Sequence, residues 1–139
     1  MANLTDPQTA SSAGESFSLE RVLIVDDEPL ILLVVAGFLA EHVGECVEAE
    51  SGAEALNRFQ PGAFDLVITD RTMPGMDGLA LTREIKQRHP TQKVLLISGV
   101  HAQGAYPPPS EGGPDAFLAK PFTRAGIIDC VANLTRARA

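Results

Sequence analysis

Basic residues, motif-forming cysteines and long apolar runs are all scarce in this 139-residue chain. Its 11 Lys and Arg stand against 18 Asp and Glu, a formal net charge of -7. That balance argues against a nucleic-acid or anionic-membrane surface, where clustered cations would be needed. The two cysteines, Cys46 and Cys130, lie far apart with no CxxC spacing and no neighbouring His. Neither a zinc site nor a disulfide framework is expected, and both read as packing residues in a reducing cytoplasm. The longest apolar stretch, Leu30 to Ala40, is too short to span a bilayer, and the N-terminus lacks the basic start and apolar core of a signal peptide. A chain of this length holds one domain with a real core and has no room for a second ordinary one.

What the chain does carry is acid at the ends of apolar runs. Residues 1–18 are rich in Ser, Thr, Ala, Gly and Pro without apolar period and read as a disordered tail, leaving 19–139 as the domain. Short apolar runs then alternate with helical patterns, the strand candidates being Val22–Val25, Cys46–Ala49, Leu66–Thr69, Val94–Ser98 and Ala116–Ala119. Five strands separated by crossovers predict a doubly wound parallel sheet covered on both faces.

Helix signals fall where that fold needs them. Pro29 opens a run to about His42, Ser51 and Glu54 form a capping box, Asp77 caps a helix to about Arg88, and Thr123 caps the last, to about Arg136. The fourth crossover breaks the pattern, because three consecutive prolines and several glycines between Ser98 and Ala116 exclude a regular helix. A turn or two near Val100–Ala105 and then a loop are expected. On the first helix, Ile31, Val34, Val35 and Phe38 form the predicted core stripe, with Leu30, Leu32 and Leu33 partly outside it.

In an open parallel sheet, ligands bind beyond the carboxyl ends of the strands. The polar residues there are Asp26 and Asp27, Asp70, Ser98 and Lys120. Any one of the aspartates alone reads more often as a turn or a helix cap. Together they suit one chemistry. Three crowded carboxylates ionise together only if a divalent cation offsets their charge, and Mg2+ takes carboxylate, water and phosphate oxygens as ligands. A carboxylate beside the cation can attack phosphorus, while a lysine and a hydroxyl bind the phosphoryl oxygens.

These residues resemble the receiver domains of two-component response regulators, in the segments Val22–Pro29, Asp70–Gly78, Leu95–Gly99 and Lys120–Phe122, over roughly residues 20–137. The resemblance implies a flavodoxin-like fold with strand order 2-1-3-4-5. It implies that Asp70 accepts a phosphoryl group from a sensor histidine kinase or a histidine phosphotransfer protein. Asp27, Asp70 and the Thr72 backbone carbonyl would ligate Mg2+, with Asp26 holding a metal-bound water. Ser98 would be the switching hydroxyl and Lys120 the cation pairing with Asp70 or its phosphate. Phe117 occupies the position of the family's switch aromatic but has no hydroxyl; a plain core phenylalanine is the alternative. Leu30 and Leu33 flank the acidic site and are expected to help seat the phosphodonor, the alternatives being a wide core face or a homodimer contact.

The function expected is a stand-alone receiver that switches contacts with a downstream protein in two-component or phosphorelay signalling. It would catalyse its own phosphorylation and dephosphorylation and turn over no other substrate. Two alternatives are a Mg-dependent phosphohydrolase with an aspartyl-phosphate intermediate and a scaffold that no longer uses phosphate. The first normally needs an Asp where Thr72 stands.

Overall fold

A computed structural model describes residues 17–99 and 106–136 of the chain. The order of elements is β1 (Leu19–Val25), α1 (Pro29–Leu39), β2 (Val43–Ala49), α2 (Gly52–Arg58), β3 (Leu66–Asp70), α3 (Gly78–Arg88), β4 (Val94–Ser98), a 3-10 turn (Pro109–Glu111), β5 (Ala116–Ala119) and α4 (Arg124–Arg136). The five strands form one parallel sheet in the order β2-β1-β3-β4-β5, the flavodoxin-like topology the sequence predicts.

Alternation along the strands separates two cores. On one face Val22, Ile24, Leu66, Ile68, Leu95 and Ile97 pack against Leu32, Val35 and Leu39 of α1 and Ile127, Ile128 and Val131 of α4. On the other, Leu23, Val25, Val67 and Val94 meet Ala55 of α2 and Leu81 and Ile85 of α3. Both cysteines are partly buried against the first core, and burial raises both thiol pKa values above the ordinary range.

The predicted caps form. Ser51 Oγ accepts from Glu54 N at 3.0 Å, Asp77 Oδ1 from Ala80 N at 2.9 Å and Thr123 Oγ1 from Gly126 N at 2.9 Å. The capping box is offset by one residue: Glu54 takes the N–H of Glu50 at 2.7 Å.

Several sequence expectations need correction. Strands β1 and β2 start at Leu19 and Val43, and α1 stops at Leu39 instead of His42. The buried stripe of α1 is Leu32, Val35 and Leu39, whereas Val34 is 36% exposed. Nearly every position from Leu30 to Val35 is apolar, so period alone cannot locate the stripe. The expected tail lies mostly outside the described residues, but Phe17 stacks on His42 with ring centroids 4.4 Å apart. The turn expected near 100–105 also lies outside them. Beyond it, the only helical piece before β5 is the three-residue 3-10 turn, in keeping with the prolines.

Strand β5 forms the edge of the sheet, and Phe117 on it is 48% exposed, not a plain core residue. Leu118 points to the α1/α4 core, so Phe117 points to the opposite face.

Candidate functional site

The sheet register delivers the predicted residues to one edge. Asp70 is the last residue of β3 and pairs with Ile97, the residue before Ser98. Asp26 and Asp27 follow β1 directly, while Lys120 follows β5 and donates its backbone N–H to the Ser98 carbonyl at 2.7 Å.

Carboxylate oxygens of Asp26, Asp27 and Asp70 all lie within 4.8 Å of one another. Asp26 and Asp70 are buried, at 3% and 5% exposure, and Asp27 is exposed. Lys120 Nζ reaches Asp70 Oδ1 at 2.8 Å, closing the cluster with one cation. Asp26 Oδ1 accepts the N–H of Glu28 at 2.9 Å, which fixes its orientation.

The electrostatics follow from this crowding. Burial pushes the Asp26 carboxyl up to about 6, with the Asp70 and Asp27 charges adding to it and the Glu28 N–H and Lys120 opposing it. For Lys120, burial works against the ammonium, but the hydrogen bond and charge of Asp70, with Asp26 and Glu28 behind it, raise its pKa above the ordinary value. Three acids served by one lysine form an all-oxygen donor set with surplus negative charge, which fits a hard divalent cation.

The loop after Asp70 is shaped by two glycines. Gly75 has φ of 78°, a left-handed conformation that glycine alone adopts freely. Gly78 donates to the Arg71 carbonyl at 2.8 Å, and a Cβ there would collide with the Asp70 carbonyl oxygen and the Arg71 Cα. Thr72 is exposed on this loop, two residues beyond Asp70.

Leu30 and Leu33 stand out from α1 at 67% and 65% exposure, so the wide-core alternative fails. Beside them runs an apolar groove of about 500 Å³, lined by Ile31, Val34, Phe38, Pro121 and Phe122 and reaching Lys120.

Sequence reasoning missed Tyr106. Its hydroxyl lies 3.2 Å from Ser98 Oγ, its ring meets Phe117 edge-on at 5.4 Å, and the Arg71 guanidinium stands 5.8 Å from its centroid. The signal available was composition: Tyr106 is the sole tyrosine of the chain and sits in the segment that breaks the pattern.

The sequence matches the family model described as the response regulator receiver domain over residues 22–132. It is 32% identical over 112 residues to the chemotaxis protein CheY of Bacillus subtilis, covering 80% of this chain and 93% of that protein. It is 37% identical over 116 residues to the DNA-binding transcriptional regulator NtrC of Escherichia coli, covering 84% of this chain but only 24% of that protein. Among solved structures it resembles the response regulator TrrA of Thermotoga maritima in complex with Mg(2+)-BeF, at 34% identity and a TM-score of 0.72, covering 83% of this chain and 98% of that one.

Proposed function

Because the chain belongs to the response regulator receiver domain family, we propose that Asp70 accepts a phosphoryl group from a sensor histidine kinase or histidine phosphotransfer protein. The consequence would be a changed contact with a downstream protein in two-component or phosphorelay signalling. The observation that carries this reading is the geometry at Asp70: a buried carboxylate, a lysine 2.8 Å from one oxygen, and two more carboxylates within 4.8 Å.

In that reaction an Asp70 oxygen attacks phosphorus and the phosphorus–nitrogen bond of the donor phosphohistidine breaks, its electron pair leaving with the imidazole. The product is an acyl phosphate. Lys120 turns from the carboxylate to the phosphoryl oxygens, and Ser98 donates its O–H to another of them. Asp26, Asp27 and Asp70 with the Thr72 carbonyl would hold Mg2+, which when bound offsets the charge of the crowded oxygens. Water attack on the same phosphorus returns Asp70, so the chain acts on itself and is not an enzyme with a turnover substrate.

The exposed Leu30 and Leu33 beside the Lys120 groove support docking of the phosphodonor on α1, with a homodimer contact as the competing use. A stand-alone, cytoplasmic module is the form this reading favours. No helix among the described residues is long and apolar enough to cross a membrane, and CheY is covered over nearly its whole length.

Intact-mass measurement after incubation with acetyl phosphate and Mg2+ tests the reading. A gain of one phosphoryl group, lost in Asp70→Asn, is expected; the same gain in Asp70→Asn would move the acceptor elsewhere.

A further inference from the structure

We propose that α1 is a self-association surface, pairing antiparallel with α1 of a second copy of this chain about a twofold axis. The proposal starts from Gly37. It lies inside α1 and is exposed, its φ is not positive, and a Cβ there would meet nothing within 4 Å. Glycine weakens a helix interior, yet nothing among the described residues needs the side chain to be absent. What its absence accommodates therefore lies outside the chain.

The outer face of α1 is Leu30, Leu33, Val34 and Gly37, at the i, i+3, i+4, i+7 spacing of one helix side. Their sizes are complementary under reversal. In an antiparallel pair centred between Leu33 and Val34, Leu30 of each copy stands opposite Gly37 of the other, a bulky side chain against an empty seat. A parallel pair would set Gly37 against Gly37 and leave a void. The twofold closes Leu33 on its own copy along one side and Val34 on its own copy along the other, over the groove that Val34 shares with Phe38 and Phe122. Charge selects the same occupant: α1 contains no charged residue in a chain of net charge -7, so this is the face on which two copies repel least. Only at the two ends does acid meet acid, where exposed Glu41 of one copy approaches exposed Asp27 and Glu28 of the other. With 11 residues α1 is about 16 Å long, so the contact falls short of the about 1,200–2,000 Å² that stable interfaces bury, and pairing depends on concentration. A dimer covers the leucines expected to seat a phosphodonor, so the two uses exclude each other.

Sedimentation velocity on the full chain over a range of concentrations tests the pairing. The weight-average mass should rise from one chain toward two, and more steeply with added NaCl, which screens the acids at the two ends. Gly37→Leu is the discriminating variant. It adds apolar surface, so unspecific apolar contact would strengthen; under the proposal it fills the seat of the other copy's Leu30 and weakens association about tenfold or more, the effect of overpacking a close contact. Its urea midpoint should not fall, because the added side chain meets open space and Leu is the better helix former. Leu33→Cys should cross-link to its own copy under mild oxidation, while the native chain, with Cys46 and Cys130 partly buried, does not. A mass of one chain at every concentration overturns the proposal and leaves the phosphodonor as the occupant of this face. Pairing that weakens with NaCl, a Gly37→Leu chain that pairs as tightly as the native one, or dimers that Leu33→Cys fails to cross-link overturn it as well. Labelling of Asp70 by acetyl phosphate is read separately and stands whichever way the mass falls.

Discussion

Asp26 carries a cost that its neighbours impose, and removing its charge should make the metal-free protein more stable. Asp26→Asn keeps the shape of the side chain and the oxygen that accepts the Glu28 N–H at 2.9 Å. The folded carboxyl has its pKa raised from 3.8 to about 6. A raised carboxylate pKa means that the folded state binds the proton more tightly than the unfolded chain, so this group's contribution falls as pH rises from about 4 to about 6 and is constant above that. The cost at pH 7 is about 3 kcal/mol, from roughly 1.4 kcal/mol per unit, and roughly half of that at pH 5. Urea denaturation at pH 5 and pH 7 in EDTA measures it. Taking the difference between variant and native chain at each pH cancels the other titrating groups. The advantage of Asp26→Asn should grow by about 1 kcal/mol between the two pH values. With Mg2+ at a hundred times its dissociation constant the native chain should regain about 2.7 kcal/mol, more than the variant does. An advantage that shrinks from pH 5 to pH 7, or none at pH 7, would refute the electrostatic account.

Other perturbations test neighbouring parts of the same frame. Gly78→Ala should cost about 1–3 kcal/mol by overpacking against the Asp70 carbonyl, read from the urea midpoint, and should slow labelling by acetyl phosphate as Asp70 shifts. Lys86 and Asp115 form a buried pair at 2.7 Å with side-chain exposures of 5% and 12%, so Asp115→Ala should lose about 3–5 kcal/mol. A double variant, Lys86→Met with Asp115→Ala, should recover part of that loss, and no recovery would point instead to the Val94 N–H that Asp115 also accepts. Leu30→Ser with Leu33→Ser should leave stability within about 0.5 kcal/mol and acetyl phosphate labelling unchanged, while transfer from a phosphorylated histidine domain slows. Equal transfer rates would remove α1 from the docking surface.

The part of the site visible in the sequence is the part that topology places. An acid, a serine or a lysine that ends an apolar run must stand at the carboxyl edge of a parallel sheet, so Asp26, Asp27, Asp70, Ser98 and Lys120 were readable from position alone. Helix starts were readable for a similar reason, since Ser51, Asp77 and Thr123 cap within three residues of themselves. The stripe of α1 was not, because a helix apolar on nearly every side carries no phase. The exposure of Phe117 was not readable either, because Ala116–Ala119 has the composition of an inner strand. Tyr106 lay beyond reach for a different reason. It stands beside three consecutive prolines, a stretch of sequence with no apolar period from which a contact can be inferred.

The described part of that crossover, residues 106–115, has contacts at both ends. At its far end Asp115 accepts Lys86 Nζ at 2.7 Å and Val94 N at 2.8 Å, pinning the chain to α3 and β4 through buried, charge-assisted bonds. Close packing reinforces this end, since Gly113 is buried and a side chain there would strike the Pro107 carbonyl. At its near end the Tyr106 hydroxyl lies 3.2 Å from Ser98 Oγ and its ring meets Phe117 edge-on. Asp115→Ala removes both bonds at the far end: it should lower stability while leaving acetyl phosphate labelling of Asp70 intact, since neither bond reaches the acidic cluster. Slowed labelling in that variant, with the fold retained by circular dichroism, would mean that the anchor on α3 and β4 also sets Asp70.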